Sequence, residues 1–238
     1  MTETPNFALP LLATHQAQKH VTVNEALVRI DALSRPRVQS CDLTMPPVAP
    51  AEGDAWIVAP GGADAWAGHD GEMAFFVNGG WAFHAFEFGA SVWDATAREH
   101  RVFDGVNWVA HGSAVGEGGA TTRSYVLSFQ HDLGAGATSV TAEVIPSHAI
   151  VLGVTARVVQ PITGSGLTGF SLGVAGAVDR YGSGLGVALN AWAKGVTGQA
   201  VTYYADTPLV LTAEGGDFAQ GAVQIALHLT ELIPPRSV

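Results

Sequence analysis

The stretch Thr14–Leu27, THQAQKHVTVNEAL, gathers His15, Lys19, His20 and Glu25 just ahead of an amphipathic pattern. Imidazoles beside a carboxylate can hold a metal ion. A helical metal site, however, needs ligands one turn apart, as in H-E-x-x-H, because only such positions share a face. His15, His20 and Glu25 follow one another at intervals of five, so capping and contact roles are expected there instead. His69 and Asp70 in WAGHDGEMAFF read as a turn around Asp70-Gly71, since the spacing of a calcium loop is missing. TGSGLTG and YGSGLGV contain neither a nucleophile elbow nor the Lys-Ser/Thr that ends a phosphate loop. Cys41 is the only cysteine, which excludes an intrachain disulfide and leaves a passive thiol. No pair of carboxylates is singled out for work on a glycosidic bond. The expectation is a protein without catalytic residues, metal or cofactor.

The aromatic residues carry more information. Trp and Tyr beside Asp, Asn and His are the side chains that sugar-binding surfaces use: the ring stacks on the apolar face of a sugar and the polar groups take its hydroxyls. Trp66, Trp81, Trp93 and Trp192 are candidates, together with Asp179 and Tyr181 in DRYGSG. A single Trp at a hairpin end is more often core, so the signal lies in their density.

The elements that must position these residues fall into four segments. Residues 1–36 are an extended lead-in and a helix, expected to serve attachment and oligomerisation. Thr22 and Glu25 have the spacing of a capping box. Val23, Ala26, Leu27, Ile30 and Leu33 then recur at helical spacing until Pro36. A helix of roughly three turns is too short to stand alone and must bury that stripe. Residues 37–111 form a Trp-rich β module. AFFVNGGWAF reads as a hairpin turning at Asn78-Gly79, and HRVFDGVNWVA as one turning at Asp104-Gly105, with Trp81 and Trp108 in corresponding places. Residues 112–122 are a Gly-rich linker. Residues 123–238 are all-β in texture, with SYVLSF, TSVTAEV, AIVLGVTARVV, GFSLGVA, AVTYYA, PLVLTAE and AVQIALHLTEL as strands; SGLGVALNAWAKG also admits a helical reading. The fold class expected is mainly β: a short N-terminal helix, a small Trp-rich antiparallel module and a C-terminal β-sandwich of jelly-roll type.

A net charge of −10, from 11 basic and 21 acidic residues, argues against nucleic acid, whose footprint is clustered Lys and Arg. No apolar run approaches a transmembrane span, and the start has no basic region of a signal peptide, so folding in a cytoplasm is expected. Only 13% of residues are charged, with 29 glycines, a surface suited to burial against copies or partners.

LPLLATHQAQKHVTVNEALVRIDAL, APAEGDAWIVAPGGADAWAGHDGEMAFFVNGGWAFH and VFDGVNWVA together resemble a domain of unknown function found in tail-fibre-type proteins of alphaproteobacterial phages and gene transfer agents. RYGSGLGVALNAWAKG and TYYADTPLVLTAEGGDFAQGAVQIALHL are similar to a β domain of tail fibres and head spikes in the same particles. The resemblance implies a virion protein, a homotrimer, held on a baseplate or another virion protein by its N-terminal part and binding host-surface polysaccharide by its C-terminal domain. It implies no catalytic residues. The attachment and oligomerisation residues are then Gln16, Gln18, Lys19, His20, Asn24, Leu27 and Ile30. Two other readings stand beside it: a purely structural baseplate or head-spike component, and a capsule-degrading glycosidase.

Overall fold

The computed structural model describes residues 2–12, 19–110, 112, 116 and 118–236. The chain divides into two compact units, Met1–His111 (unit 1) and Gly112–Val238 (unit 2).

Unit 1 contains helix α1 (Lys19–Ser34) and strands β1 (Arg37–Val38), β2 (Ala55–Ile57), β3 (Met73–Val77), β4 (Gly80–His84), β5 (Ser91–Asp94), β6 (Glu99–Phe103) and β7 (Trp108–Ala110). The helix starts earlier than the capping-box spacing predicts: Thr22 and Glu25 lie within it, both exposed. Asn24 Oδ1 accepts the Leu12 amide at 2.8 Å, and Asn24 Nδ2 donates to the Leu12 carbonyl at 3.1 Å.

The buried face of α1 also differs from the expected stripe. Val28 and Asp31 are buried and Leu27 and Leu33 half-buried, whereas Val23, Ala26 and Ile30 are exposed. Asp31 decides this. Only 1% exposed, it accepts hydrogen bonds from Thr4 Oγ1 at 2.7 Å, the Phe7 amide at 2.8 Å and the Asn6 amide at 2.9 Å. A buried carboxylate must be satisfied in this way, and hydropathy reads such a residue as surface. The helix therefore packs within unit 1: Val28 shares a core cluster with Val38, Cys41, Ala55, Ile57, Met73, Phe75 and Val92.

Strand β2 is buried on both faces, and alternation sorts its residues. Ala55 and Ile57, with Met73 and Phe75 of β3, face that cluster. Trp56 and Ala74 face a second one with Val58 and Trp66, against which Trp81 and Phe83 pack. The three indoles lie with centroids 5.2–6.1 Å apart, tilted or edge to face, the arrangement that the ring quadrupole favours. The β3–β4 hairpin turns at Asn78-Gly79 as expected. Both residues have positive φ, 52° and 72°, as a type I′ turn requires. The β6–β7 hairpin is present as well, but its loop spans residues 104–107, closed by Asp104 Oδ1 on the amides of Val106 and Asn107. Phe76 pairs with Trp81 and Phe103 with Trp108. The second sheet of unit 1 has the order β1-β5-β6-β7, with β1 parallel to β5.

Unit 2 contains β8 (Thr121–Asp132), β9 (Thr138–Ile145), β10 (Ile150–Thr163), β11 (Gly169–Val174), β12 (Ala177–Leu185), β13 (Trp192–Thr202), β14 (Thr207–Glu214) and β15 (Gln220–Ile233). They make two antiparallel four-stranded sheets, β13-β10-β15-β8 and β12-β11-β14-β9. One cluster takes Val151, Val154, Ile225 and Leu227 from the first and Phe170, Leu172, Leu209 and Leu211 from the second. Unit 2 differs from the sequence expectation in three places. SGLGVALNAWAKG is not helical: it is the end of β12, a connection and the start of β13. AVTYYA is strand only as far as Thr202. Thr121 and Thr122, placed in the linker, begin β8, while part of that linker lies outside the described residues.

Candidate functional site

The six predicted saccharide-binding residues separate into core and surface. Trp66, fully buried, belongs to the indole cluster of unit 1, and Trp81, half-buried, packs on it. Tyr181 is 2% exposed, and its hydroxyl meets that of Tyr203 at 3.0 Å. Burial, then this hydrogen bond, pushes its phenol far above the ordinary range. Trp66 and Tyr181 are thus structural residues that no ligand can stack on. Aromatic residues with polar neighbours look alike in sequence whether they line a core or a surface. Asp179 is exposed on β12, whereas Trp192, 65% exposed, begins β13 in the other sheet. Trp93 is 36% exposed and lies on β5 in a cleft of unit 1.

The WAGHDG segment, distinctive in sequence, is consumed by its own fold. Asp70 accepts the amides of Gly61 and Gly62 at 2.9 and 2.8 Å, and those two bonds hold its carboxyl below the usual range. A Cβ on Gly62 would come within 2.9 Å of Asp70 Oδ1 and 2.7 Å of the Trp66 carbonyl, so the position needs glycine. His69 stacks on Phe83 with centroids 3.5 Å apart, and its Nδ1 lies 2.8 Å from Glu72. The Gly71 carbonyl accepts Trp108 Nε1 at 2.8 Å. The turn read from the sequence is there, and it serves as a clasp. Elsewhere in unit 1 carboxylates hold backbone in the same manner. Glu52 spans the amides of Asn78 and Gly79, and fully buried Asp94 takes those of Cys41, Thr96 and Ala97. Burial, then the charge of Asp94, drives the Cys41 thiol well above its ordinary range, which fits a passive thiol.

In unit 2 the strand register builds a surface that the sequence did not announce. Trp192 of β13 stands opposite Arg157 of β10, Arg157 opposite Gln224 of β15, and Gln224 opposite Gln130 of β8. Alternate residues share a face, so the next row is Lys194, Thr155, Ala226 and Ser128. The residues between, such as Ala193, Ala156 and Ile225, are buried. The rows are held: Gln224 Nε2 donates to Ser128 Oγ at 2.9 Å, and Arg157 Nη1 donates to the Asn190 carbonyl at 3.3 Å. The result is an indole, a guanidinium and two amides in one line across the sheet.

Of the predicted attachment residues, Gln16 and Gln18 lie outside the described residues, as do the side chains of Lys19 and His20. Asn24 is engaged with Leu12, Leu27 is half-buried and Ile30 is exposed. Among the described residues no group of three or more His, Cys, Asp or Glu could hold a metal, and no helix is long and apolar enough to cross a membrane.

Fold and surfaces together describe a mainly β protein of two units with pinned loops and an open sheet face. Residues 23–109, which lie within unit 1, match the family described as protein of unknown function (DUF2793). No curated protein matches the chain. Among solved structures it is similar to a chain of the cyanophage Pam1 capsid asymmetric unit, at 22% identity and a TM-score of 0.32, over 53% of this chain and 91% of that one. It is also similar to a chain of the acid-stable capsid of Helicobacter pylori bacteriophage KHP30, at 13% identity and a TM-score of 0.27, over 48% and 98%.

Proposed function

We propose that this protein is a virion-associated, tail-fibre-type binding protein whose unit 2 is an eight-stranded jelly-roll sandwich that takes a host-surface polysaccharide on its β13-β10-β15-β8 face. Strand pairing supports the fold. β8 pairs with β15, β9 with β14, β10 with β13 and β11 with β12, the nested order of one long hairpin rolled up on itself. The observation that carries the binding function is the row Trp192–Arg157–Gln224–Gln130. An exposed indole gives a sugar a face to stack on, while guanidinium and amide groups reach its hydroxyls. Placement on the virion rests on the likeness of THQAQKHVTVNEAL and WAGHDG to tail-fibre-type proteins. A trimer would add avidity to individually weak sites.

The test is binding of the full chain to an array of bacterial capsular polysaccharides. Saturable binding to a subset, lost in Trp192→Ala and weakened in Arg157→Ala, is the expected result. Binding indifferent to both substitutions would overturn the assignment of the face. A second reading, a purely structural component, is favoured by Val126, Leu152, Val159 and Val196, which are exposed on the strands of this same sheet. In that case the array is silent and Val196→Asp changes the mass of the assembled species in solution.

A further inference from the structure

Unit 1 has a cleft of about 780 Å³ at the end of α1, between β1, β5 and the loop before β2. This lies within the range of roughly 300–1,000 Å³ for small-ligand sites. Its wall contains a second cross-strand row. Arg37 of β1 stands opposite Trp93 of β5, and Trp93 opposite His100 of β6. The Trp93 and His100 rings meet edge to face, with centroids 4.9 Å apart, and both line the cleft. Arg35 lines the same space.

The charges in the cleft are not equivalent. Glu52 has both oxygens on the amides of Asn78 and Gly79, and Asp54 accepts the Ala51 amide at 2.9 Å and Gln39 Nε2 at 2.8 Å. The Arg35 and Arg37 side chains make no hydrogen bond or ion pair among the described residues, and both residues are exposed. Two adjacent, uncommitted guanidiniums stand out in a chain with only 11 basic residues. Guanidinium is the planar donor that matches a carboxylate.

We propose that this cleft binds an acidic saccharide, with a sugar ring stacked on Trp93 and its carboxylate held by Arg35 and Arg37. The carboxylates of Glu52 and Asp54 repel the ligand's charge and accept its hydroxyls, so the sugar enters with its acid group toward the arginines. The site is separate from the sheet face of unit 2 and stands or falls without it.

The test is calorimetric titration of the full chain with hexasaccharides of galacturonate, glucuronate and mannuronate, and with neutral maltohexaose. Saturable binding is expected for at least one uronate and none for the neutral sugar, with affinity falling as salt rises. Replacing Arg35 and Arg37 by Gln costs about tenfold or more in affinity, the scale of a lost charged hydrogen bond. Trp93→Ala abolishes binding, and Trp93→Phe keeps part of it. Equal binding of acidic and neutral sugars would overturn the proposal. So would no binding to any uronate, or parental affinity in a Trp93→Ala protein whose melting curve is unaltered.

Discussion

In unit 1 the strands run from two to five residues, and buried or hydrogen-bonded carboxylates hold the loops between them. In unit 2 they run from six to fourteen residues and close on an apolar cluster. Short strands leave much backbone outside any ladder, and amides there need an acceptor. Asp31, Glu52, Asp54, Asp70, Asp94 and Asp104 supply one to exposed, part-buried and, at Cys41, buried amides. Long antiparallel strands satisfy their own backbone, so unit 2 depends on packing. The same contrast separates the two surfaces. The face of unit 2 is an open row across long paired strands, whereas the cleft of unit 1 is made where short segments meet.

The sharpest way to break this comparison is to hollow out one unit. Phe170 is 2% exposed in the unit 2 core, and Phe170→Ala should cost about 3–5 kcal/mol. Tryptophan fluorescence reports unit 1, which holds Trp56, Trp66, Trp81, Trp93 and Trp108, while only Trp192 lies in unit 2. Far-ultraviolet circular dichroism reports both. The expected outcome is a lower unfolding midpoint by circular dichroism with the fluorescence midpoint almost unmoved. Equal shifts in both probes would mean that the units do not unfold separately.

The converse experiment removes an acceptor. Asp94→Ala leaves the amides of Cys41, Thr96 and Ala97 without their carboxylate, and it should destabilise unit 1 by about 3 kcal/mol, the scale of buried groups left unsatisfied. Its counterpart in unit 2 is Asp206, which takes one exposed amide, that of Ser147, at 2.9 Å. Asp206→Ala should stay within about 0.5 kcal/mol of the parent. A large effect of Asp206→Ala on the circular dichroism midpoint would mean that carboxylate–amide bonds carry the stability of both units.

What was legible in the sequence follows the same division. Asn78-Gly79 was readable because a type I′ turn is dictated by two adjacent residues. AVQIALHLTEL was readable because alternation is local. Strand β12 was not recognised as one: DRYGSGL has few β-branched residues, and Gly182 and Gly184 take positive φ within it. The buried face of α1 departs from the apolar stripe because Asp31 enters the core with its partners, which come from residues 4–7. Site residues were harder still. Trp192 and Trp93 could be nominated as aromatic, but their neighbours could not. Arg157, Gln224 and Gln130 reach Trp192 only through register, and Arg37 reaches Trp93 through a parallel pairing of distant strands.

The smallest expected effect is a difference in the order of acid weakening. In unit 2 the His131 imidazole is buried, with Nε2 2.8 Å from Ser139 Oγ. Burial lowers its pKa below the ordinary 6.5, against the pull of Glu143 and Asp132. The unfolded chain therefore binds this proton first. The contribution of His131 is complete above about pH 6.5 and is lost as pH falls through the folded value. In unit 1 the Asp70 carboxyl is held below 3.8 by the amides of Gly61 and then Gly62, so its contribution persists to lower pH and is lost only as pH falls through that depressed value. A series of urea titrations from pH 7 to 3 should show the circular dichroism midpoint declining first and the fluorescence midpoint later. His131→Gln should flatten the early decline, and Asp70→Asn the late one. If the fluorescence midpoint falls first, other groups in unit 1 govern its response to acid, and the carboxylate clasp around Gly61 and Gly62 contributes less than its geometry implies.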